Sequence, residues 1–494
     1  MPRDLRLFQV GGFRAHTSGQ PDALAARLCP PNGGIDLILG ILPCGASYLL
    51  LREETFFRYF PRSRDAGRPW YSSEFRSLSP VYFSSREALE KKLKLYVHNK
   101  KSKGGPARDR SKANTAYTSH DVHSLTPAGD LRADHELQRV LYQLCRGHLG
   151  REEIWDFARA VYPRVQSMKV VSFAFTLWEM DRRPYTERKM NPKVLELGWA
   201  EFTLPTVSTE FRVESASHWV FEETQTFKNP RKTRLDFKHG NTEVITRDEA
   251  ISRLKHRFSE AGSNVVLLVY DLKQTRDVLA SFDIKISSWK QGLFDVFRPL
   301  QISQPSGAPR RRSLSPRRGV PRDPRQRPRS PERQTTTSTT QGVYIDIKDT
   351  FGILKQFHKD AISIQHIARD LGVRDDSLAE TSEGWCAGND SVLFGLAWQA
   401  MASGNAIDEQ RLARWHTGPS TQGQSDRADE GSGGIKPSGS EPADPAPEDD
   451  ESDFDPNDVA PMDAQGSSVI GGSAAPGSVV GMGGWDPLAF DDDD

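Results

Sequence analysis

A central β-strand is predicted at Asn264-Val265-Val266-Leu267-Leu268-Val269-Tyr270, which contains five consecutive apolar residues. Strands that are buried on both faces have such continuous runs, whereas half-exposed strands alternate apolar and polar residues. A helix is predicted directly after this strand, with Val278, Leu279 and Phe282 on its apolar face. A buried strand followed by a helix indicates a protein of the α/β class.

Four further strands are predicted around this one. Three precede it, at 170–178, 194–204 and 217–223, and one follows it, at 343–347. Strands in succession, followed by strands that alternate with helices, indicate a mixed sheet flanked by helices. The predicted helices after the last strand, from their apolar spacing, are 351–358, 364–371 and 389–401.

Residues 1–130 are expected to form a separate small α/β module of unknown type. Strands are predicted at 35–39 and 46–51, and Pro43 and Gly45 suit a turn between them. Ser85 is expected to cap an amphipathic helix. Two more helices, at 134–146 and 152–161, make 131–167 a helical connector to a main domain at 168–404.

Large parts of the chain are not expected to belong to a packed core. Only 36% of its 494 residues are hydrophobic, and the mean hydropathy is −0.60. The formal net charge of zero conceals two blocks of opposite sign. Both blocks are rich in residues that cannot bury enough apolar area to offset the entropy lost on ordering, so disorder is predicted in each.

The first block is the Arg-rich insertion, residues 303–341, which interrupts the main domain. Ten arginines stand against two acids between residues 303 and 334, giving a net charge of +8. Arginines beside Ser-Pro steps favour contact with RNA or another single-stranded nucleic acid, with phosphorylation able to cancel charge. A solvated loop or a nuclear-import signal remains an alternative. The residues predicted to bind nucleic acid are Arg310, Arg311, Arg312, Arg317 and Arg318.

The second block is the acidic tail, residues 417–494. Eighteen acids stand against one arginine and one lysine, giving a net charge of −16. Trp485, Leu488 and Phe490 among these acids are typical of a short linear motif that binds a protein partner.

Cysteine usage and hydropathy suggest a protein of the cytoplasm or the nucleus. Cys29, Cys44, Cys145 and Cys386 are widely scattered, without the paired spacing of a structural zinc site or a disulfide framework. No signal peptide or membrane-spanning run is recognised, so no membrane partner is expected. Cys145 and His148 are two potential zinc ligands without a second pair, so no metal site is predicted.

Three segments carry a resemblance to a known superfamily. They are 171–179 on the first main-domain strand, 268–275 at the end of the central strand, and Trp385-Cys386-Ala387-Gly388-Asn389-Asp390-Ser391. In order and separation they resemble the three motifs of the RNase H-like DEDD 3′-5′ exonucleases. The resemblance implies an RNase H-like mixed sheet, and in an active member four carboxylates that hold two divalent metals.

Most of those carboxylates are absent here. Ala174 and Thr176 occupy the positions of the first-strand acids, and Thr275 occupies that of the acid in the second motif. Trp385 stands where the family has a general-base histidine, and Asp390 is the one motif carboxylate retained. The resemblance therefore implies a degenerate domain, with Asp390 its only candidate catalytic residue.

The domain is most similar to one fungal branch, the "good for full activity" family, which is linked to an mRNA-export helicase. The segments 218–223, 227–229, 237–240 and 349–350 extend the similarity, which runs from residue 168 to about residue 403. The alternative is that these strands belong to some other α/β fold.

The leading expectation is a catalytically degenerate exonuclease-like domain that binds nucleic acid, with a role in RNA metabolism or mRNA export. No cofactor is expected. The first alternative is an active Mg²⁺-dependent 3′-5′ exonuclease with a rearranged carboxylate site; the second is a protein-interaction adaptor. The carboxylates that the first alternative would use are Glu179, Asp271, Asp277, Asp349 and Asp390.

Overall fold

The computed structural model describes residues 5–11, 20–31, 33–61, 68–97, 111–118, 126–149, 165, 167–230, 232–261, 264–297, 342–356, 362–378 and 384–415. The chain divides into two units, 1–420 and 421–494, and every described residue belongs to the first. The Arg-rich insertion, the acidic tail and the predicted helix at 152–161 all lie outside the described residues.

Fourteen strands occur in the described residues, and they form three sheets. They are β1 (Arg6–Gly11), β2 (Ile35–Ile41), β3 (Ser47–Arg52), β4 (Trp70–Tyr71), β5 (Ser77–Phe83), β6 (Lys169–Leu177), β7 (Val194–Thr203), β8 (Arg212–Phe221), β9 (Thr233–Arg234), β10 (Thr242–Ile245), β11 (Val265–Val269), β12 (Lys290–Gln291), β13 (Val343–Asp346) and β14 (Gly384–Trp385).

The α-helices of the described residues lie on the faces of these sheets or beside them. They are α1 (Pro21–Leu28), α2 (Glu53–Tyr59), α3 (Arg86–Leu95), α4 (Pro127–Cys145), α5 (Tyr185–Met190), α6 (Arg247–Ala261), α7 (Leu272–Ser281), α8 (Phe294–Phe297), α9 (Ile347–Leu354), α10 (Ile364–Asp370), α11 (Ala387–Ala402) and α12 (Ile407–Trp415). None of the helices in these parts of the chain is long and apolar enough to cross a membrane.

The main sheet has seven strands in the order β10-β8-β7-β6-β11-β13-β12. Strands β6, β7 and β8 form an antiparallel meander, and β11 and β13 continue the sheet parallel to β6. All five residues of β11 are buried, as its continuous apolar run predicts. The predicted α/β class and the mixed, helix-flanked sheet are confirmed.

The first sheet has five antiparallel strands in the order β4-β1-β3-β2-β5. One hydrophobic cluster joins this sheet to the main sheet through helix α4, which contributes Leu137, Val140 and Leu141. The predicted boundary at residue 130 lies inside α4, because Thr126 caps this helix by accepting a hydrogen bond from the backbone of Gly129.

Two predicted elements differ from the structure in their limits. The helix predicted at 351–358 begins earlier, at Ile347, because the carboxylate of Asp346 accepts hydrogen bonds from the backbone N–H groups of Lys348 and Asp349 and so caps it. The third main-sheet strand begins at Arg212 rather than at 217. Its early residues are largely exposed and polar, so apolar periodicity does not reveal them.

A buried ion network attaches helix α12 to helices α3 and α4. Asp408 lies 2.8 Å from Lys92 on α3 and 2.8 Å from Arg132 on α4. All three side chains are at least 94% buried. Burial alone would raise the pKa of Asp408, but Lys92 and Arg132 outweigh it and hold that pKa well below the usual range.

The substitution Asp408→Asn should lower the free energy of unfolding by about 3–5 kcal/mol at neutral pH, because it removes the ion-pair partner of the buried Arg132, whereas Lys92 keeps Glu409 at 2.8 Å. Since the folded-state pKa of Asp408 is depressed, this stabilisation is present above about pH 4 and lost as the pH falls. Urea unfolding should therefore show a smaller difference between the two proteins near pH 3.5.

The matched control is Asp283→Asn, which removes an exposed partner of Lys255. It should leave the stability nearly unchanged. Equal losses for the two variants would contradict the assigned role of the buried network.

Candidate functional site

The first and third motif segments lie against each other. Ala174 and Thr176 share one face of β6, and they pair across the sheet with Gly198 and Glu196 of β7. Helix α11 begins over this face, and the hydroxyl of Ser172 donates to the carbonyl oxygen of Ser391 at 2.7 Å. Both segments therefore pack against each other, and we call the junction between β6, β7 and the start of α11 the cleft.

Glu196 lies at the centre of this cleft with its side chain fully buried. One carboxylate oxygen, Oε1, accepts hydrogen bonds from the hydroxyl of Thr176 at 3.2 Å and from the backbone N–H of Ala387 at 2.5 Å. The other, Oε2, lies 3.2 Å from His218 Nε2 and 3.3 Å from Arg234 Nε. The helix N-terminus and the guanidinium both favour a negative charge at this place.

Asp390, the retained motif acid, is in the first turn of α11. It accepts a hydrogen bond from Gln365 Nε2 at 2.5 Å. Burial, and secondarily the negative charge of Glu196, raises the pKa of Asp390 to about 8. The carboxyl is therefore mostly protonated at neutral pH, and a protonated acid is a poor ligand for a divalent metal.

In the second motif, Asp271 and Thr275 form hydrogen bonds at the start of α7. Thr275 is buried in α7 and donates to the carbonyl oxygen of Asp271 at 2.6 Å. The carboxylate of Asp271 caps the same helix by accepting from the backbone of Gln274. Tyr270, which directly follows β11, contacts helix α11, because its ring stacks on that of Phe394 with 6.0 Å between the ring centroids.

The carboxylates that a rearranged exonuclease site would use take part in different local interactions. Glu179 forms an ion pair with Lys232 at 2.8 Å, and Asp271 caps α7. Asp277 lies further along α7, and Asp349 follows the cap of α9. In the described parts of the chain, the one group of three potential metal ligands is Glu196, His218 and Cys386, which does not include Asp390.

A segment that we call the basic strap, residues 227–239, connects the end of β6 to the start of α11. Asn229 donates to the carbonyl oxygen of Leu177 at 3.0 Å and accepts from the backbone N–H of Glu179 at 2.9 Å. At the other end, Asn389 accepts from the backbone N–H of Lys238 and donates to the carbonyl oxygen of Asp236. Strands β9 and β14 pair in parallel between these two anchors.

The basic strap presents cations and aromatic rings beside the cleft. Lys228, Lys232 and Lys238 are exposed, and the Arg234 guanidinium lies 4.8 Å from the centre of the Trp385 ring. The buried indole of Trp385 donates its N–H to the carbonyl oxygen of Lys232 at 3.3 Å and so attaches the start of α11 to the basic strap. At the β6 end, the rings of Trp178 and Phe227 lie 4.8 Å apart.

No family model matches this chain, and no curated protein matches it. The fold and the site define a mixed α/β protein whose seven-stranded sheet carries a cleft between β6, β7 and the N-terminus of α11.

Glu196, His218 and Arg234 were not predicted from the sequence to belong to this cleft. One signal was present: Glu196 is an acid inside the otherwise apolar start of β7, and a buried charge in a strand needs partners. The predicted nucleic-acid residues, from Arg310 to Arg318, lie outside the described part of the chain.

The substitution Gly198→Ala should disrupt this cleft. A Cβ atom at Gly198 would lie 1.8 Å from the carbonyl oxygen of Ala387, so α11 would have to move away from β7. We expect the free energy of unfolding to fall by about 3 kcal/mol or more, at the upper end of overpacking effects.

Gly352→Ala is the matched control, because Gly352 lies within helix α9 and a Cβ there would meet nothing within 4 Å. This change should stabilise the protein by about 0.5–1 kcal/mol. Urea unfolding of the full chain compares the two variants, and a stable Gly198→Ala protein would contradict the close packing of β7 on α11.

Proposed function

We propose that this protein binds single-stranded nucleic acid, with RNA the expected ligand, in a degenerate RNase H-like exonuclease domain that does not cut it. The observation that carries the proposal is the basic strap beside the cleft. Lys232 and Arg234 lie next to Glu179 and Glu196, so cationic side chains provide the counter-charge that bound metals provide in an active nuclease.

The arrangement of the main sheet supports the RNase H-like part of this proposal. An antiparallel meander, β6-β7-β8, is followed by helix-connected strands β11 and β13 that lie parallel to the first strand. This is the succession that the resemblance to the exonucleases implies. The first and third motif segments also line the same cleft, as that resemblance requires.

Three features of the cleft argue against two-metal hydrolysis. The first-strand positions Ala174 and Thr176 offer no carboxylate, and Thr176 is already hydrogen-bonded to Glu196. The raised pKa of Asp390 keeps its carboxyl mostly protonated at neutral pH. Two divalent ions need several ionised oxygen ligands around them, and the described residues near Asp390 do not supply a set of three.

Single-stranded nucleic acid suits the exposed groups of the basic strap. Lys228, Lys232 and Lys238 are solvent-accessible and follow one another along one segment, as phosphate-binding cations do along an extended strand. A phosphate at Lys232 would replace Glu179 as the partner of that lysine. Trp178 remains partly exposed beside Phe227, and Lys193 Nζ lies 4.8 Å from the centre of its ring, so an aromatic pair with a further cation lies near the basic strap. Cations that alternate with aromatic rings are typical of sequence-tolerant binding to single strands.

The triple substitution Lys228→Gln, Lys232→Gln and Lys238→Gln should weaken binding of single-stranded RNA to the full chain. It should also reduce the slope of log affinity against log salt by about 2, since each lost phosphate contact removes about 0.7. Fluorescence anisotropy at several salt concentrations measures both quantities.

The control is Lys91→Gln, Lys112→Gln and Lys255→Gln, which removes the same charge from exposed lysines outside the basic strap. This control should lower the slope of log affinity against log salt by less than the basic-strap substitutions do. If the two triple variants have equal slopes, binding is a property of the overall charge and the assignment to the basic strap is wrong.

A further inference from the structure

Glu196, His218 and Cys386 bring an oxygen, a nitrogen and a sulfur atom together in the interior. The three side chains come from β7, from β8 and from the residue that precedes α11. Each residue is at least 98% buried. Their ligand atoms all lie within 4.8 Å of one another, with Glu196 Oε2 3.2 Å and Cys386 Sγ 3.9 Å from His218 Nε2.

These separations fit a tetrahedral zinc site. With Zn–N and Zn–O bonds of about 2.1 Å and Zn–S bonds of about 2.3 Å, tetrahedral geometry places nitrogen about 3.4 Å from oxygen and sulfur about 3.6 Å from either atom. The separations from His218 Nε2, 3.2 Å to oxygen and 3.9 Å to sulfur, are close to these values. The third separation, between Glu196 and Cys386, is at most 4.8 Å, so these two side chains would move toward each other by up to about 1 Å to share a cation.

The surroundings of the three residues also point to a bound cation. Glu196 Oε2 is buried and accepts no hydrogen bond of acceptable geometry within the described residues, although two positively polarised groups lie near it. On the far side of the imidazole, His218 Nδ1 is 2.9 Å from the hydroxyl of Thr242. Such a second hydrogen bond orients metal-binding histidines and fixes which ring nitrogen faces the metal.

We propose that Glu196 Oε2, His218 Nε2 and Cys386 Sγ bind one divalent transition-metal ion, Zn²⁺ by the chemistry of the donors. Imidazole and thiolate ligands select zinc over Mg²⁺, which prefers oxygen ligands only. The ion joins β7, β8 and the start of α11. This inference goes beyond the proposed function, since it concerns a structural metal and involves neither the nuclease metals nor the basic-strap lysines.

Arg234 is the group that a metal must accommodate. Its Nε atom lies 3.3 Å from the same oxygen, and both Nε and Nη2 lack a hydrogen-bond partner within the described residues. Without a metal, this guanidinium is the counter-charge of Glu196. A bound ion would replace the guanidinium as the counter-charge of Glu196. Removal of the positive charge of Arg234 should therefore favour metal uptake.

The test uses the full chain with Zn²⁺, and with Co²⁺ as a spectroscopic probe. After dialysis against excess Zn²⁺ and removal of free ion, the unsubstituted protein should hold about one ion per chain by elemental analysis. The Co²⁺ form should show the near-ultraviolet absorption of a thiolate–metal bond and the visible bands of tetrahedral cobalt.

Cys386→Ser should abolish the near-ultraviolet band and lower Zn²⁺ affinity at least tenfold, whereas Cys145→Ser, at another buried free cysteine, should retain both. Arg234→Gln should bind Zn²⁺ more tightly than the unsubstituted chain. This variant keeps the proposal testable if Cys386→Ser does not fold.

Two results would overturn the proposal. One is the absence of stoichiometric Zn²⁺ from both the unsubstituted protein and Arg234→Gln. The other is equal uptake by folded Cys386→Ser, which would indicate adventitious surface binding. Neither result bears on RNA binding by the basic-strap lysines, so the two proposals fail independently.

Discussion

A buried carboxylate near the start of β7 is the constraint on which the cleft depends. Glu196 is fully buried, and a buried charge is costly unless opposite charges and hydrogen-bond donors surround it. Its partners come from β6, β8, the basic strap and the N-terminus of α11. One residue thereby fixes the relative positions of four segments that are distant in sequence.

The same constraint explains why this cleft differs from that of a two-metal nuclease. Positions that would hold carboxylates carry Ala174 and Thr176, and the threonine donates to Glu196 instead of binding a metal. Arg234 approaches the same acid from the basic strap. Arg234 and Lys232 therefore neutralise Glu196 and Glu179, and in our proposal the other exposed lysines of the basic strap, Lys228 and Lys238, bind the phosphate groups.

The main sheet could be predicted from sequence because its signals are local. The continuous apolar run of β11, the apolar content of β6 and β7, and the apolar spacing of α11 each depend on neighbouring residues. The cleft could be predicted only in part. Ala174, Thr176 and Asp390 came from motif spacing, but the pairing of Glu196 with His218 and Arg234 depends on strand register and on the path of the basic strap, which no local pattern encodes.

The most direct test of a cleft that binds without cutting is a nuclease assay on the full chain. Labelled single-stranded RNA and DNA would be incubated with the protein and either Mg²⁺ or Mn²⁺, at concentrations at which anisotropy shows the strands to be bound. The account predicts bound strands of unchanged length. Progressive shortening from the 3′ end that Asp390→Asn abolishes, in a protein that still folds and binds, would contradict it.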